Sequence, residues 1–273
     1  MHCNFDYFDY YNRFKEGMEE RKHISDINIE SINPKFFKKI QGIYVLKEIK
    51  EAEYLPEFVK IDGKVCRKYL NIFYLHKTLS HLTQNEVISI CDIRLKNISD
   101  ITSIEYNKLV ISELLKQATE NINGKKEKSK ILDYGIGSGI SLECLRSLKL
   151  DNKLELIGTD ISKESLKVCT RKGIKTFYWG NGKNIEPEHF DGIISSFVFD
   201  FNITSGEVRR LYNLLVKGGR LVLNLYKDDL INYDYVVNTL LKSEFRLRDE
   251  QIIVPKERFN IGHEVEKVII AEK

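Results

Sequence analysis

Three glycines spaced by single residues, Gly135, Gly137 and Gly139, follow an apolar run at residues 130–134 and precede leucines at helical spacing, Leu142, Leu145 and Leu148. Glycines let the backbone turn sharply and approach a ligand closely, so a strand, a glycine turn and a helix in that order form the first half of a βαβ nucleotide-binding unit. A second apolar run, LELIGTD, ends on Asp160, about 20 residues after the glycines, where a carboxylate accepts hydrogen bonds from ribose hydroxyls. The chemistry open to this pattern is the binding of a nucleoside cofactor.

Two details bear on which cofactor. A dinucleotide loop carries a third glycine for close helix packing, and Ile140 stands at that place. Asp133, at the carboxyl end of the first strand, would repel a pyrophosphate and attract a cationic amino group. S-adenosylmethionine has an ammonium, a sulfonium and no phosphate, so the charge pattern favours it over NAD.

From Ile131 onward the chain resembles the class I S-adenosylmethionine-dependent methyltransferases. Asp133, Tyr134, Gly135, Gly137 and Gly139 match the family's first motif, whose loop wraps the methionine moiety. The resemblance gives Asp160 the ribose and Ile161 the adenine face. Asn181 and Gly182, in TFYWGNGKN, stand where the family commonly has Asp-Ala, and the Asn carbonyl can accept from the adenine amino group. Asp191 opens a fourth-motif strand whose cofactor end is Ser196, Phe197 and Val198, and Gly218-Gly219 marks the helix-to-strand step of the fifth. Tyr106 is a candidate cofactor contact, or else an aromatic packed at a helix start. Asp200 lies where similar enzymes face the acceptor, which makes it the candidate base or amine-holding carboxylate.

Each piece also has a plainer reading. Ser162 suits a helix N-cap beside Asp160, and Gly218-Gly219 a helix stop. What supports function is five motifs in order.

The elements that must position these residues follow from periodicity. Residues 104–121 read as a helix leading into the first strand, 221–226 as a strand, 230–243 as a helix, and 245–255 and 264–272 as two closely spaced terminal strands. The expected fold is α/β: a Rossmann-like, mostly parallel seven-stranded sheet with helices on both faces and an antiparallel last strand. Residues 101–273 make the cofactor-binding methyltransferase domain. Residues 1–100 make a mainly helical lid and substrate-binding region, with an aromatic helix at 5–23 (Phe5, Tyr7, Phe8, Tyr10, Tyr11), a hairpin about Asp62-Gly63 and a helix at 81–93. Methyl transfer is an in-line displacement helped by proximity and exclusion of water, so the sheet needs such a cover.

Composition narrows the partners. Net charge is +3 with acids and bases interspersed, and the basic run at 124–130 is broken by a glutamate, which disfavours nucleic acid. The five cysteines are scattered, without disulfide or zinc spacing, and no metal is expected. No run is long and apolar enough for a signal peptide or a membrane span, which points to the cytoplasm. His76, His81 and His263 read as surface or packing residues. The Asn/Asp-Pro-Pro-Tyr step of adenine and glutamine methyltransferases is missing after the fourth strand. The leading expectation is a tailoring-type methyltransferase, as for natural products, acting on N or O of a small molecule or short peptide. The alternatives are an RNA methyltransferase and a non-catalytic cofactor-binding protein.

Overall fold

A computed structural model describes residues 30–31, 37–47, 58–70, 72–98, 104–120, 122, 128–181, 187–226, 230–248, 252–255 and 265–273. The expected helix at 5–23, His263 and Gly182 lie outside these residues.

The larger sheet contains β7 (Ser129–Tyr134), β8 (Leu154–Asp160), β9 (Lys175–Tyr178), β10 (Phe190–Ser195), β11 (Leu215–Tyr226), β12 (Arg246–Leu247), β13 (Ile252–Pro255) and β14 (Val265–Glu272). Its order is β12-β14-β11-β10-β7-β8-β9, with β13 also paired to β14. Strands β9 to β11 through β7 run parallel, and β14 is antiparallel to β11. The path is the expected seven strands. The run 245–255, read as one strand, is instead two short ones, making eight in all.

Parallel strands buried on both faces are apolar at successive positions, because side chains alternate across the sheet. Ile131, Ile194, Val222 and Ile270 face one core with helices α2 (Ile104–Thr119) and α3 (Ile140–Ser147). Their neighbours Leu132, Ile193, Leu221 and Ile269 face the other core with α5 (Ser205–Leu214) and α6 (Leu230–Lys242). Each such side chain, fully buried, contributes about 1.5–3 kcal/mol. Arg220 is buried among them at 2% exposure, and it donates to the Gln117 carbonyl at 3.0 Å and to Glu120 at 2.6 Å. Removing only Glu120 would leave a buried charge poorly compensated.

Among the described residues before 98 the chain is mainly strand, where a mainly helical region was expected. Strands β1 (Glu30–Ser31), β2 (Phe37–Ile40), β3 (Ile43–Leu46), β4 (Phe58–Ile61), β5 (Lys64–Tyr69) and β6 (Phe73–Leu75) form a second sheet, ordered β1-β4-β5-β6-β3-β2. The Asp62-Gly63 hairpin is present, with φ of 51° and 76°. A second hairpin turns at Gln41-Gly42, with φ of 48° and 90°, the left-handed pair that suits strand twist. Only α1 (Gln84–Lys96) and a single 3-10 turn are helical among the described residues before residue 98. Helix α1 starts at a capping box in which Thr83 and Glu86 exchange hydrogen bonds.

Candidate active site

Strand order reverses at β7, which has β8 on one side and β10 on the other, and ligands of open α/β sheets bind outside the strand carboxyl ends at such a point. A cavity of about 490 Å³ opens there. Its floor is the loop after β7 and the ends of β8 and β10; its roof is α1 with Tyr69 of β5.

The loop is pinned to β8: Gly135 and Ile136 both donate to the Thr159 carbonyl, at 2.9 and 3.0 Å. Gly135 has φ of +84°, and a Cβ there would fall 2.3 Å from Val198 Cγ2. Gly137 donates its N–H to Asp160 Oδ2 at 2.9 Å, and Ser162 donates its N–H to Oδ1 at 2.8 Å. Burial raises the Asp160 pKa, with the charge of Asp92 adding, while N–H groups of Ser162, Gly137 and Ile161 oppose the rise. A carboxylate has about four acceptor positions, so Asp160 retains capacity toward the cavity it lines. Ser162 is also the N-cap of α4 (Lys163–Arg171), accepting from the Ser165 N–H at 3.0 Å, as the plainer sequence reading expected.

Tyr134, Gly135, Gly137, Asp160, Ile161, Ser196, Phe197 and Val198 all line the cavity. Phe197 is held at φ +58° with its N–H donating to Asn224 at 2.9 Å.

Five of the candidates, Asp133, Gly139, Tyr106, Asn181 and Asp200, are not among the residues that line the cavity. Asp133 is 2% exposed and lies beneath the loop, off the cavity wall, because strand alternation turns it away from the face of Tyr134. Its Oδ1 has no hydrogen-bond partner among the described residues, and burial pushes its pKa to about 7, with Asp160 adding and the Ser141 hydroxyl opposing. Gly139 is likewise off the wall: it caps α3 at φ +76°, where a Cβ would lie 2.9 Å from Ile174 Cδ1. Tyr106 is buried away from the cavity, its ring 6.5 Å from that of Phe197, and Asn107 and Ile111 line the wall instead. Asp200 is 3% exposed and off the wall, while its neighbours Phe201 and Asn202 line it. Asn181 closes a 3-10 turn, Trp179–Asn181.

Sequence reasoning missed Trp179, Glu207 and the α1 face. The Trp179 indole N–H donates to Glu207 Oε1 at 3.2 Å, and the Arg210 guanidinium lies 4.1 Å from the indole ring centre. Glu207 also closes a capping box with Thr204, and the spacing Thr-Ser-Gly-Glu is its sequence signal. No group of three or more His, Cys, Asp or Glu side chains is placed to hold a metal among the described residues.

The residues suit S-adenosylmethionine: Asp160 lines the cavity at the carboxyl end of β8, the position that accepts from ribose hydroxyls in such folds, and no cationic side chain lies on the loop after β7.

Residues 132–223 match the model of a family described as a methyltransferase domain. No curated protein matches the chain. Among solved structures it is similar to a SAM-dependent methyltransferase from Archaeoglobus fulgidus, at 17% identity and a TM-score of 0.47, covering 66% of this chain and 98% of that one. It is also similar to one from Mesorhizobium loti, at 13% identity and a TM-score of 0.46, covering 63% and 98%. A third, from Aquifex aeolicus, has 17% identity and a TM-score of 0.44, covering 59% and 88%. The matched segment carries the glycine loop, Asp160 and the β10 end, so residues 132–223 make a methyltransferase domain.

Proposed function

We propose that the chain is a class I S-adenosylmethionine-dependent methyltransferase that methylates a nitrogen or oxygen of a small molecule or short peptide, in the manner of natural-product tailoring, beneath a cover drawn from the N-terminal region. The observation that carries this reading is the cavity of about 490 Å³, within the usual range for small-molecule sites, roofed by α1 and Tyr69. A roofed cavity suits a small acceptor better than a folded RNA. Free thiols at Cys66, Cys91, Cys144 and Cys169 are compatible with a cytoplasmic setting.

In this reading the bound cofactor supplies an electrophilic methyl group on sulfur. Asp160 accepts from the ribose, and the Gly135–Gly137 backbone brings the amino-acid end close. Ile161 packs against the base. Ser196, Phe197 and Val198 form the wall beside the reacting end, and the strained Phe197 backbone is fixed by Asn224. Toward the acceptor the wall offers Phe201, Asn202 and Thr204, apolar and hydrogen-bonding surface in alternation. Rate enhancement then comes from holding the acceptor atom in line and excluding water. A proton leaving the acceptor goes to solvent or to Glu207, the carboxylate on this part of the wall.

The test is incubation with methyl-labelled cofactor and an extract of the host, with the labelled product identified by mass. Label in a compound of low mass or a short peptide supports the proposal. Label in RNA replaces it with the RNA reading, and cofactor binding with no labelled product replaces it with a non-catalytic role.

A further inference from the structure

Strand β5 ends on Tyr69 in the wall of the cavity, and the rest of the strand leads away from the cavity along the smaller sheet. Side chains of a strand alternate between faces, so Arg67 and Val65 share the face of Tyr69, at steps of about 7 Å. Across the ladder Arg67 pairs with Phe58 and Val65 with Lys60, which puts those two on the same face. Lys60, Val65 and Arg67 are exposed, Val65 at 48%, and the Arg67 guanidinium lies 6.0 Å from the Phe58 ring centre. Asp62, in the turn between the two strands, accepts from the Tyr44 hydroxyl at 3.1 Å, and Tyr44 is on the opposite face, in register with Tyr74 and Lys68. A strip therefore runs outward from the cavity: Tyr69, then Arg67 over Phe58, then Val65 beside Lys60.

We propose that this strip docks an extended peptide segment with acidic and apolar side chains, the segment that flanks the acceptor residue while that residue enters the cavity. The inference rests on the reading that the cavity holds the methyl donor beside an acceptor, and of its two acceptor classes it selects the peptide. An extended peptide repeats its side chains on one face every two residues, at the same ~7 Å spacing as the strip. Its carboxylates meet Arg67 and Lys60, and an apolar side chain meets Val65 between them. A phosphate backbone gains nothing from an exposed valine at that place.

Fluorescence anisotropy on the full chain, saturated with S-adenosylhomocysteine, tests this with three labelled probes: an octapeptide of alternating glutamate and leucine, its glutamine-leucine counterpart, and a short uridine RNA. Wild type is expected to bind the acidic peptide at least ~10-fold more tightly than the neutral one. Lys60→Glu with Arg67→Glu should weaken the acidic peptide at least ~10-fold, and Lys60→Gln with Arg67→Gln by less. Lys153→Glu with Lys217→Glu, the same charge change at exposed positions by the strand starts of the larger sheet, should leave it within ~2-fold. Tyr69→Ala should cost ~3- to 10-fold, since its ring is the cavity end of the strip. An unchanged affinity there would detach the strip from the cavity and overturn the proposal. Calorimetry with S-adenosylhomocysteine, within ~2-fold of wild type, shows that the strip variants are folded. If the glutamate pair fails that check, the glutamine pair decides. No preference for the acidic peptide, or equal losses in the strip and far-end pairs, overturns the proposal. Tighter binding of the RNA than of the acidic peptide overturns it in favour of an RNA-docking face. A wild-type protein that does not bind S-adenosylhomocysteine removes the reading beneath, and the same probes without that ligand then still decide the strip.

Discussion

Asp92 on α1 accepts a hydrogen bond from the Ser162 hydroxyl at 2.6 Å. Ser162 in turn donates its N–H to Asp160, and Asp160 holds Gly137. A single chain of hydrogen bonds therefore runs from the roof, through the cap of α4, to Asp160 and the glycine loop. Order in any one of these groups favours order in the others.

Asp160→Ala removes two loop-fixing hydrogen bonds together with the expected ribose contact. Hydrogen bonds to a charged group contribute ~1.5–3 kcal/mol each, so S-adenosylhomocysteine should lose at least ~100-fold in affinity, and its thermal stabilisation of the protein should vanish. An unchanged thermal shift would remove Asp160 from the cofactor site.

Gly135→Ala places a methyl group 2.3 Å from Val198 Cγ2 at a φ of +84°. Overpacking and backbone strain together should cost ~2–4 kcal/mol in urea unfolding and abolish cofactor binding. Adding Val198→Ala should recover the packing part and leave the strain. Full additivity of the two substitutions would show that the side chains do not collide in solution.

Asp133 has a pKa of about 7 in the folded chain, above the ordinary carboxylate value. Below the unfolded value both states are protonated and nothing is lost. As pH rises through about 4 to 7 the unfolded chain ionises more readily, so the native state binds more protons and stability falls, by up to ~4 kcal/mol for this one group. Asp133→Asn should remove that component, gaining stability at pH 8 relative to pH 4.5. Parallel pH–stability curves for wild type and variant would contradict it.

Trp179 is the only tryptophan in the chain, and it lies on the cavity wall. Cofactor binding should shift or quench its fluorescence. Trp179→Phe should abolish that signal, and calorimetry should still detect binding, weakened by less than ~10-fold because the cavity keeps an aromatic ring. Fluorescence insensitive to saturating S-adenosylhomocysteine would place the ligand elsewhere.

What the sequence made legible was the part in which residue type is dictated by backbone or charge. Gly135 and Gly137 are there because φ is positive, and Asp160 because a strand end needs an acceptor for two N–H groups. Asp133 was misplaced by reasoning from charge alone; alternation along β7 puts it on the α3 side, opposite Leu132. The N-terminal sheet was hidden because its second turn is Gln-Gly rather than Asn-Gly or Asp-Gly, and because β2 carries consecutive lysines. Glu207 was obscured by its simpler role in a capping box, and the α1 face by contacts that exist only once the chain has folded back on the loop.

Among the described residues, neither sheet presents a long open border to another molecule. The larger one ends at β9, four residues long, and on the far side β14 is shared between the two-residue β12 and the four-residue β13, so no continuous ladder is left on offer. The smaller one ends at the two-residue β1 and at β2, where Lys38 and Lys39 are exposed. Short borders and bordering charge discourage strand addition by neighbouring copies at these described edges.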